Sequence, residues 1–388
     1  MAPSQNTTSS SPARKRILTI GSGTVEYVLK PGGDHIEWGG KHTADITTLY
    51  GGSGVNYAMR LLSAGLDAFP ILAIGHDEAA LKIQQTLLSA SEKGGGSPAV
   101  ARFLQPDDPT TLFNPDIRTS HTVIFAHGAQ RTLFTQAPKK NTGILSSLKH
   151  RIQSALDAIG DDPDAVMIGH LHSDAKNTGP HPGAHTQYVI DMFKGRASLF
   201  ANFGNSQIEL GLDFWKPALS HIDLFQLNLE EARRFFSNGR QNATLVQVVD
   251  RIRSLGLNAV ITLDKFGAVG IYRDKPESII LAWPLIDGTE IVDATGAGDA
   301  FGAGLVSRLC RRGQLDFSTF HEAIETARTW SALACTSLGG CSDCPDQHTL
   351  DAYQLAHANG KSRPVEIKDH HYAAEIMSLI DIAFSEAS

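Results

Sequence analysis

Cysteine is scarce in this sequence, with four residues among 388. That number is too small to cross-link a chain of this length, and it suits a reducing compartment, so we expect a cytoplasmic protein. Three of the cysteines and one histidine follow the spacing C-x5-C-x2-C-x3-H (Cys335, Cys341, Cys344 and His348). Zinc sites take about four such ligands but usually show paired clusters, so the spacing leaves open a zinc site or a plain loop with free thiols.

Long apolar runs and blocks of basic residues are also missing. No stretch approaches the roughly 20 apolar residues of a membrane-spanning helix, and the start, MAPSQNTTSSSPARKR, lacks the apolar segment of a secretory signal. We expect residues 1–16 to form a disordered tail, although their lack of acidic residues leaves an organelle transit peptide open. Lys and Arg number 34 against 41 Asp and Glu, which gives a net charge of −7. Neither a membrane nor a nucleic acid is therefore an expected partner.

The remaining composition is that of a globular protein, 41% apolar and long enough for a large core. Short, nearly continuous apolar runs are typical of buried parallel strands, and they occur at 17–20, 68–74, 165–169, 198–202, 222–226 and 258–263. Helical apolar spacing occurs at 143–160 and 243–256. The alternation predicts an α/β fold over residues 17–388, with a mostly parallel sheet covered by helices on both faces.

Two segments, about 27–50 and 100–135, break this alternation. They are rich in Thr, Gly and His, with short runs such as HTVIFAHG and RTLFTQ that predict small antiparallel strands. Together they predict a subsidiary sheet over the mouth of the main one. The pattern leaves open whether this sheet is a lid that closes on a ligand or an ordinary extension of the fold.

The densest glycine run is DATGAGDAFGAG, residues 293–304. Glycine permits a tight turn and close approach to backbone N–H groups, so a glycine-rich turn before a helix predicts an anion-binding site. The P-loop motif G-x-x-x-x-G-K-[ST] is absent, and Phe301 replaces the third glycine of the dinucleotide fingerprint. Asp299 within the run would repel a bound phosphate, and the conflict disappears if this carboxylate accepts a proton instead.

The same run resembles the C-terminal signature of the ribokinase-like (PfkB) carbohydrate kinase family. GGSGVNYAMRLLSAGLDAFPILAIGHDE, residues 51–78, is similar to the N-terminal signature, and NLEEA and TLDKFG resemble the N-x-x-E and T-x-G-x-x-G motifs of the family. The resemblance covers roughly residues 17–345. It implies a three-layer α/β/α sandwich with a small β lid, and an ATP-dependent transfer of phosphate to a hydroxyl of a sugar or related small molecule.

The resemblance assigns the general base to Asp299, which would take the proton of the attacking hydroxyl. The turn that begins at Gly296 would present the N–H groups of Ala297, Gly298 and Asp299 to the transferred phosphate, at the start of a helix over 299–312. Proton acceptor and anion site would thus lie in one glycine-rich turn.

ATP and Mg²⁺ are the implied cofactors. Asn228 and Glu231 resemble the phosphate and magnesium site of the family, in which Glu231 would reach the metal through water. The stretch NLEEARRF also fits an ordinary helix start with acidic residues in its first turn. By resemblance, Asp293 and CTSLGG (335–340) could frame a monovalent cation such as K⁺.

The nucleotide motif TLDKFG is matched at Thr262 and Gly267, and the resemblance carries both over as nucleotide-binding residues. Asp264 replaces the middle glycine of that motif. A carboxylate there would repel the phosphates of ATP unless it faced solvent or the metal. Nucleotide affinity therefore depends on where this side chain points.

The acceptor pocket is implied by a second set of residues. They are Glu26, Gly52, Ser53, Asn56 and Arg131. Glu26 stands where many members of the family carry an aspartate that binds substrate hydroxyls, and Ser53 stands where some sugar kinases carry a lysine. Arg131 is the basic residue of the lid segments that we expect to reach inward. His170 and His172, at the start of a His-rich stretch over 170–185, could contact the acceptor, bind a metal or face solvent.

Three functions follow from the resemblance. The first is a sugar kinase and the second a nucleoside kinase, which length and motifs do not separate. The third is a catalytically silent sugar- or nucleotide-binding protein, which only the departures at Glu26 and Asp264 support. A homodimer through the lid is left open.

Overall fold

The computed structural model describes residues 14–33, 39–127, 130–136, 144–175, 181–237, 242–285, 291–341, 344–357 and 363–387. Residues 1–13 of the predicted tail lie outside this range. The remaining tail residues lie inside it, and all three form ion pairs with the body: Arg14 with Asp67 at 3.4 Å, Lys15 with Asp164 at 2.8 Å and Arg16 with Asp161 at 3.7 Å. Strands and helices are numbered in chain order.

The main sheet is built from the buried apolar runs. In chain order its strands are β1 (Arg16–Ser22), β4 (Asp67–Ala73), β7 (Ala165–Ile168), β8 (Ser198–Ala201), β9 (Leu224–Asn228), β10 (Ala259–Thr262), β11 (Ala268–Ile271), β12 (Ile279–Ala282) and β13 (Val365–Ile367). They lie in the order β13-β12-β11-β10-β9-β8-β7-β1-β4. Neighbours from β4 to β10 are parallel, and the pairs from β10 to β13 are antiparallel. The six predicted strands are confirmed, and β11, β12 and β13 extend the sheet beyond them.

Helices pack on this sheet. They are α1 (Ser53–Ser63), α2 (Glu78–Lys93), α3 (Pro98–Leu104), α4 (Ile144–Ile159), α5 (Ala184–Phe193), α6 (Asn205–Ile208), α7 (Leu212–Leu219), α8 (Leu229–Phe236), α9 (Leu245–Ser254), α10 (Ala297–Arg312), α11 (Phe317–Ala334), α12 (Gln347–Ala356) and α13 (His370–Ala387). Two of them, α4 and α9, are the helices predicted from apolar spacing. The predicted helix over 299–312 begins two residues earlier, at Ala297.

A second, smaller sheet carries the segments predicted as small strands. Its strands are β2 (Thr24–Pro31), β3 (Ala44–Gly51), β5 (Ser120–His127) and β6 (Gln130–Gln136), in the order β3-β2-β5-β6. The prediction of strands from residue 100 onward is wrong for 100–119. Ser97 accepts a hydrogen bond from the N–H of Val100 and Pro98 opens the helix, so this stretch contains α3 and a short 3₁₀ turn at Pro109–Thr111.

None of the described helices is long and apolar enough to cross a membrane. All four cysteines are described and buried, and none of them is paired in a disulfide. Within the described ranges, no three His, Cys, Asp or Glu side chains gather into a metal-binding group, and this includes the ligands of the zinc alternative and the His-rich stretch.

Candidate active site

The N-terminal signature folds into the start of α1. Gly52 caps this helix with φ of 94°, and a Cβ there would lie 2.7 Å from the carbonyl oxygen of Ser22, so only glycine fits. Ser53 is buried, and its hydroxyl accepts a hydrogen bond from the N–H of His170 at 3.0 Å. The carboxyl ends of β1 and β7 are thereby fixed against α1. Ligands of open α/β sheets bind at this edge.

The C-terminal signature folds into the start of α10. Gly296 caps the helix in the left-handed conformation, with φ of 73°, and its carbonyl accepts the N–H of Ala300 at 2.8 Å. The N–H of Ala297 already donates to the carbonyl of Ala294 at 3.2 Å. Gly298 and Asp299 follow in the first turn, where N–H groups have no partner within the helix.

Asp299 and Asn56 bring the two signatures together. The Asn56 side chain donates from Nδ2 to Oδ2 of Asp299 at 2.6 Å across a sequence separation of 243 residues. Asn56 is 4% exposed, and its Oδ1 is buried with no hydrogen-bond partner among the described residues. An unpaired buried acceptor is costly, so this oxygen is suited to receive a hydroxyl of a bound molecule.

Tyr57 and Arg60 lie on the same helix as Asn56, and Tyr57 interacts with Asp299. Burial, with the charges of Asp299 and Glu231, raises the pKa of the fully buried Tyr57 hydroxyl well above its usual value. The buried guanidinium of Arg60 donates to the carbonyl of Gly340. Sequence reasoning missed both residues, although NYAMR places them one and four positions after Asn56.

Glu26 lies on β2, in the second sheet, and is 9% exposed. A Cβ on Gly51 would lie 2.9 Å from its Oε1, so the carboxylate occupies the space above that glycine. In the sheet register Glu26 is opposite Leu49, and Leu49 packs against Gly339 so closely that a Cβ there would overlap it. Because cross-strand partners share a face, the Glu26 face of the second sheet is turned toward the loop that packs on Gly296.

Asn228 and Glu231 form a capping box at the start of α8. The side chain of Asn228 accepts the N–H of Glu231 at 2.8 Å, and that of Glu231 accepts the N–H of Asn228 at 3.0 Å. The alternative of an ordinary helix start thus describes their local geometry. Burial raises the pKa of Glu231, and the neighbouring Asp299 and Glu230 add to this, while the N–H of Asn228 and the charge of His170 lower it. A carboxylate held this way gains from a nearby cation.

The nucleotide motif forms the turn between β10 and β11. Thr262 pairs with Asn228 in the parallel register, so both residues lie at the same edge of the sheet. Gly267 has φ of 96°, and a Cβ there would overlap the carbonyl of Ala282. Asp264 is exposed and has a left-handed backbone, with φ of 52°. Among the described residues, no other non-glycine residue has a positive φ. It occupies the position where the motif of the family has glycine.

The ATP binding that the resemblance implies should tighten by a few-fold at low salt in Asp264→Gly, because like charges about 4 Å apart in water repel by about 1 kcal/mol. The gain should shrink as salt screens the charge. Calorimetry at two salt concentrations measures it. Asp264→Asn, which removes the charge but tolerates the left-handed backbone, separates electrostatics from conformation. Unchanged affinity of both variants at low salt would show that Asp264 does not act on the nucleotide.

Asp293 anchors the loop of CTSLGG. It is 2% exposed, its Oδ1 accepts the N–H of Thr295 at 2.6 Å and its Oδ2 accepts the N–H of Gly339 at 2.9 Å. The carbonyl of Cys335 accepts the N–H of Val292 at 2.8 Å. The buried carboxylate of Asp293 thus ties the glycine-rich turn at Thr295 to the loop at Gly339.

The remaining predicted positions are Arg131 and the histidines of the His-rich stretch. Arg131 lies in β6, opposite Ala126, but its side chain is outside the described residues. His170 is half-buried, and its Nε2 lies 2.9 Å from Oδ1 of Asn202. His185, from the same His-rich stretch, pairs with the buried Asp174, so it serves the fold locally.

Known proteins resemble this chain in both sequence and fold. Residues 213–347 match the family model described as pfkB family carbohydrate kinase. Aminoimidazole riboside kinase of Salmonella typhimurium is 34% identical over 116 residues, 30% of this chain and 35% of that protein. ATP-dependent 6-phosphofructokinase of Thermoanaerobacterium thermosaccharolyticum is 30% identical over 141 residues, 36% of this chain and 39% of that protein. The chain therefore matches these curated relatives over less than two fifths of their own length.

Among solved structures, a double mutant of fructokinase from Vibrio cholerae O395, in fructose, ADP and potassium ion bound form, superposes with a TM-score of 0.63. It is 20% identical in sequence, and the match covers 89% of this chain and all 100% of that chain. The predicted ribokinase-like α/β fold and the resemblance to the PfkB family are confirmed.

Proposed function

We propose that this chain, whose residues 213–347 match the model of the pfkB family carbohydrate kinases, transfers the γ-phosphate of ATP to a hydroxyl of a sugar or sugar-like small molecule. The observation that carries the proposal is the 2.6 Å contact between Asn56 and Asp299. It brings a carboxylate, a buried unpaired amide oxygen and the N-terminal turn of a long helix into one place. Phosphoryl transfer to an alcohol needs a proton acceptor, a binding site for the alcohol and donors for the phosphate.

Asp299 acts as the general base. The attacking hydroxyl would give its proton to Asp299 as its oxygen bonds to phosphorus, while other hydroxyls of the same acceptor would donate to Oδ1 of Asn56 and to the carboxylate of Glu26. The N–H groups of Gly298 and Asp299, with Ala297 in a lesser role because its N–H has a partner, would stabilise the charge that develops on the phosphate oxygens.

ATP would lie along the edge formed by Asn228 and Thr262, against the turn closed by Gly267. Glu231 fits a Mg²⁺ site, because burial penalises its charge and a cation would offset that penalty. When bound, Mg²⁺ neutralises the charge of adjacent phosphates. Glu231 would hold it through water, which leaves the capping box with Asn228 intact.

A potassium ion would lie at the loop of 335–340, beside Asp293. The buried carboxylate of Asp293 suits such an ion, because K⁺ takes oxygen ligands and a cation would offset the cost of burying this charge. The fructokinase of Vibrio cholerae is described with bound potassium. The guanidinium of Arg60 donates to the carbonyl of Gly340 in this loop, so its positive charge also lies at the loop.

An ATP consumption assay across sugars, sugar acids and nucleosides tests the proposal. Turnover with a sugar is expected. Turnover with nucleosides alone would favour the second candidate, a nucleoside kinase, for which the likeness to aminoimidazole riboside kinase is the specific observation. Binding of sugar and ATP without turnover of any acceptor would instead identify a silent binding protein, the reading that Glu26 and Asp264 support.

The second sheet is proposed to close on the acceptor as a lid. Transferable phosphate must be kept from water, and the Glu26 face of this sheet is turned toward the site. We expect β2–β3 and β5–β6 to gain hydrogen-exchange protection together when the acceptor binds, since a closing element orders as a unit. Amides of α9, remote from the sheet, serve as the internal control. If an acceptor that the protein phosphorylates binds and the exchange of neither hairpin changes, the sheet is an extension of the fold and not a lid.

A homodimer through this sheet is also proposed. Ile46 and Phe134 are 64% and 60% exposed, and the register places both on the face that carries Tyr27, opposite to the Glu26 face. Exposed apolar residues on one sheet face favour burial against a second copy. A sedimentation measurement that finds only monomers at micromolar concentration would reject the dimer.

A further inference from the structure

A chain of polar side chains runs beneath the start of α10. Nε2 of His170 lies 2.9 Å from Oδ1 of Asn202, Nδ2 of Asn202 donates to Oε1 of Gln226 at 2.7 Å, and Nε2 of Gln226 donates to the carbonyl of Gly298 at 3.2 Å. His170 and Asn202 follow the carboxyl ends of β7 and β8, and Gln226 lies within β9, so the three come from neighbouring strands of the main sheet. None of the three lies in the two glycine-rich signatures or in the N-x-x-E motif.

The direction of every bond in this chain is set by its last member. The carbonyl of Gly298 can only accept, so the Gln226 group that faces it must be the NH₂, and the Gln226 oxygen must face Asn202. Asn202 must then present its own NH₂ to that oxygen and its oxygen to the imidazole. His170 must therefore carry a hydrogen on Nε2 and donate it. Each of the three side chains therefore donates toward α10. Flipping one amide would break its hydrogen bonds unless its neighbours flipped as well.

Gly302, in the FGAG stretch, leaves the space that the side chain of Gln226 occupies. A Cβ on Gly302 would lie 2.7 Å from Oε1 of Gln226 and 3.3 Å from the ring of Tyr57. The amide of Gln226 therefore lies directly against the backbone of α10, one turn beyond the carbonyl that it binds. Gln226 is 5% exposed, so solvent does not compete for these bonds. Position 302 must be glycine, because a side chain there would collide with the amide of Gln226. At Gly298 it is the backbone carbonyl that the NH₂ of Gln226 approaches.

We propose that His170, Asn202 and Gln226 are positioning residues that fix the first turn of α10 in the geometry that phosphoryl transfer requires. The proposal rests on the proposed kinase function. The N–H groups of Gly298 and Asp299 and the carboxylate of Asp299 all project from this turn. Donors aimed at developing charge are effective only when they are held in place beforehand. The backbone N–H of His170 also donates to Ser53, so one residue ties the strand ends to both α10 and α1.

Gln226→Glu gives the sharpest test, because a carboxyl can replace the amide in only one protonation state. Protonated, it can donate to the carbonyl of Gly298 and accept from Asn202. Ionised, it offers the Gly298 carbonyl only lone pairs. The titratable groups on the elements around residue 226 are Tyr57, His170, Glu231 and Asp299. Burial and the negative charges of Glu231 and Asp299 should raise the pKa of the new carboxyl.

We expect the kcat of Gln226→Glu to come within about threefold of the wild-type value at pH 6 and to fall at least about tenfold below it at pH 9, with the KM for the acceptor nearly constant. Gln226→Met, which has the shape but no donor, should be slow at every pH. The matched control is Asn258→Asp, since Asn258 is also buried and donates from its amide to a backbone carbonyl, that of Asp223 at 2.9 Å, at the opposite edge of the sheet. It should lose stability without a new pH dependence of kcat.

Hydrogen exchange gives a readout that does not need activity. Amides of residues 297–301 should exchange faster in Gln226→Glu at pH 9 than at pH 6 after correction for intrinsic rates, and His170→Leu should resemble Gln226→Met, with partial recovery in His170→Gln, whose amide can donate. A kcat ratio and exchange pattern that do not change with pH in Gln226→Glu, in a chain whose wild type turns over, would overturn the proposal. If the wild type turns over no acceptor, the kinase function is rejected, and the exchange result still decides whether the three residues hold the turn.

Discussion

Asp299→Asn is expected to lower kcat by roughly 10² to 10⁴, the range typical for removal of a general base. An amide has nearly the shape of the carboxylate but cannot take a proton from the attacking hydroxyl. Its oxygen can still accept the hydrogen bond that Asn56 donates to Oδ2 at 2.6 Å, so the contact between α1 and α10 should survive. Thermal unfolding and binding of acceptor and ATP should therefore change little while turnover is lost.

The control for this variant is Asp213→Asn. Asp213 lies in the first turn of α7, as Asp299 lies in the first turn of α10, and it is exposed. It loses the same favourable interaction with a helix N-terminus, which is about 0.3 to 1 kcal/mol, without touching the site. Asp213→Asn should leave kcat unchanged. Turnover of Asp299→Asn within tenfold of wild type would reject Asp299 as the base.

The main sheet was predictable because its central strands are buried on both faces. Such strands appear in the sequence as nearly continuous apolar runs, and the runs ILTI and AVMIG lie in β1 and β7. The antiparallel extension was not predictable by that signal. β11, β12 and β13 are three or four residues long, and β11 contains Gly270, whose missing side chain is filled by Phe320 and Ile324. A short strand that is stabilised by a helix packed against it has little sequence pattern of its own.

The segment 100–119 illustrates the opposite error. Its polar, Thr-rich composition favours strands on average, but Ser97 and Pro98 start a helix whose Val100, Phe103 and Leu104 are buried at helical spacing. The N-cap signal lay just before the segment and was outweighed by composition. Local capping chemistry decided the structure there.

The candidate site was predictable only where whole motifs carried it. Asn56 and Asp299 were both assigned from signatures, but their direct contact depends on how α1 and α10 cross. Asn202 and Gln226 were hidden, because they stand at or near the end of the runs SLFAN and IDLFQ, which were interpreted as strands. A polar residue at the carboxyl end of a buried parallel strand is the signal that could have found them, since ligands bind at that edge.

Gly296→Ala is expected to lower kcat by about 10² to 10³, comparable to removing a donor from an oxyanion hole. Gly296 has φ of 73°, and a Cβ there would overlap the backbone of Gly340. A left-handed backbone costs a residue with a side chain about 1 to 2 kcal/mol. The overlap adds to this, since Gly340 is itself held by Arg60 and packs on Asn56. The turn must move, and the N–H groups of Gly298 and Asp299 move with it.

Gly313→Ala separates strain from function on the same helix. Gly313 ends α10 with φ of 74°, the same conformation, but a Cβ there would meet nothing within 4 Å. It should therefore cost stability, by about 1 to 2 kcal/mol, and leave kcat within about twofold of wild type. Gly296→Ala should unfold at a lower temperature than Gly313→Ala and also lose turnover in the fraction that stays folded. Equal melting temperatures and equal kcat for the two variants would mean that Gly340 yields to the added methyl group, and that the turn at Gly296 does not set the geometry of the anion site.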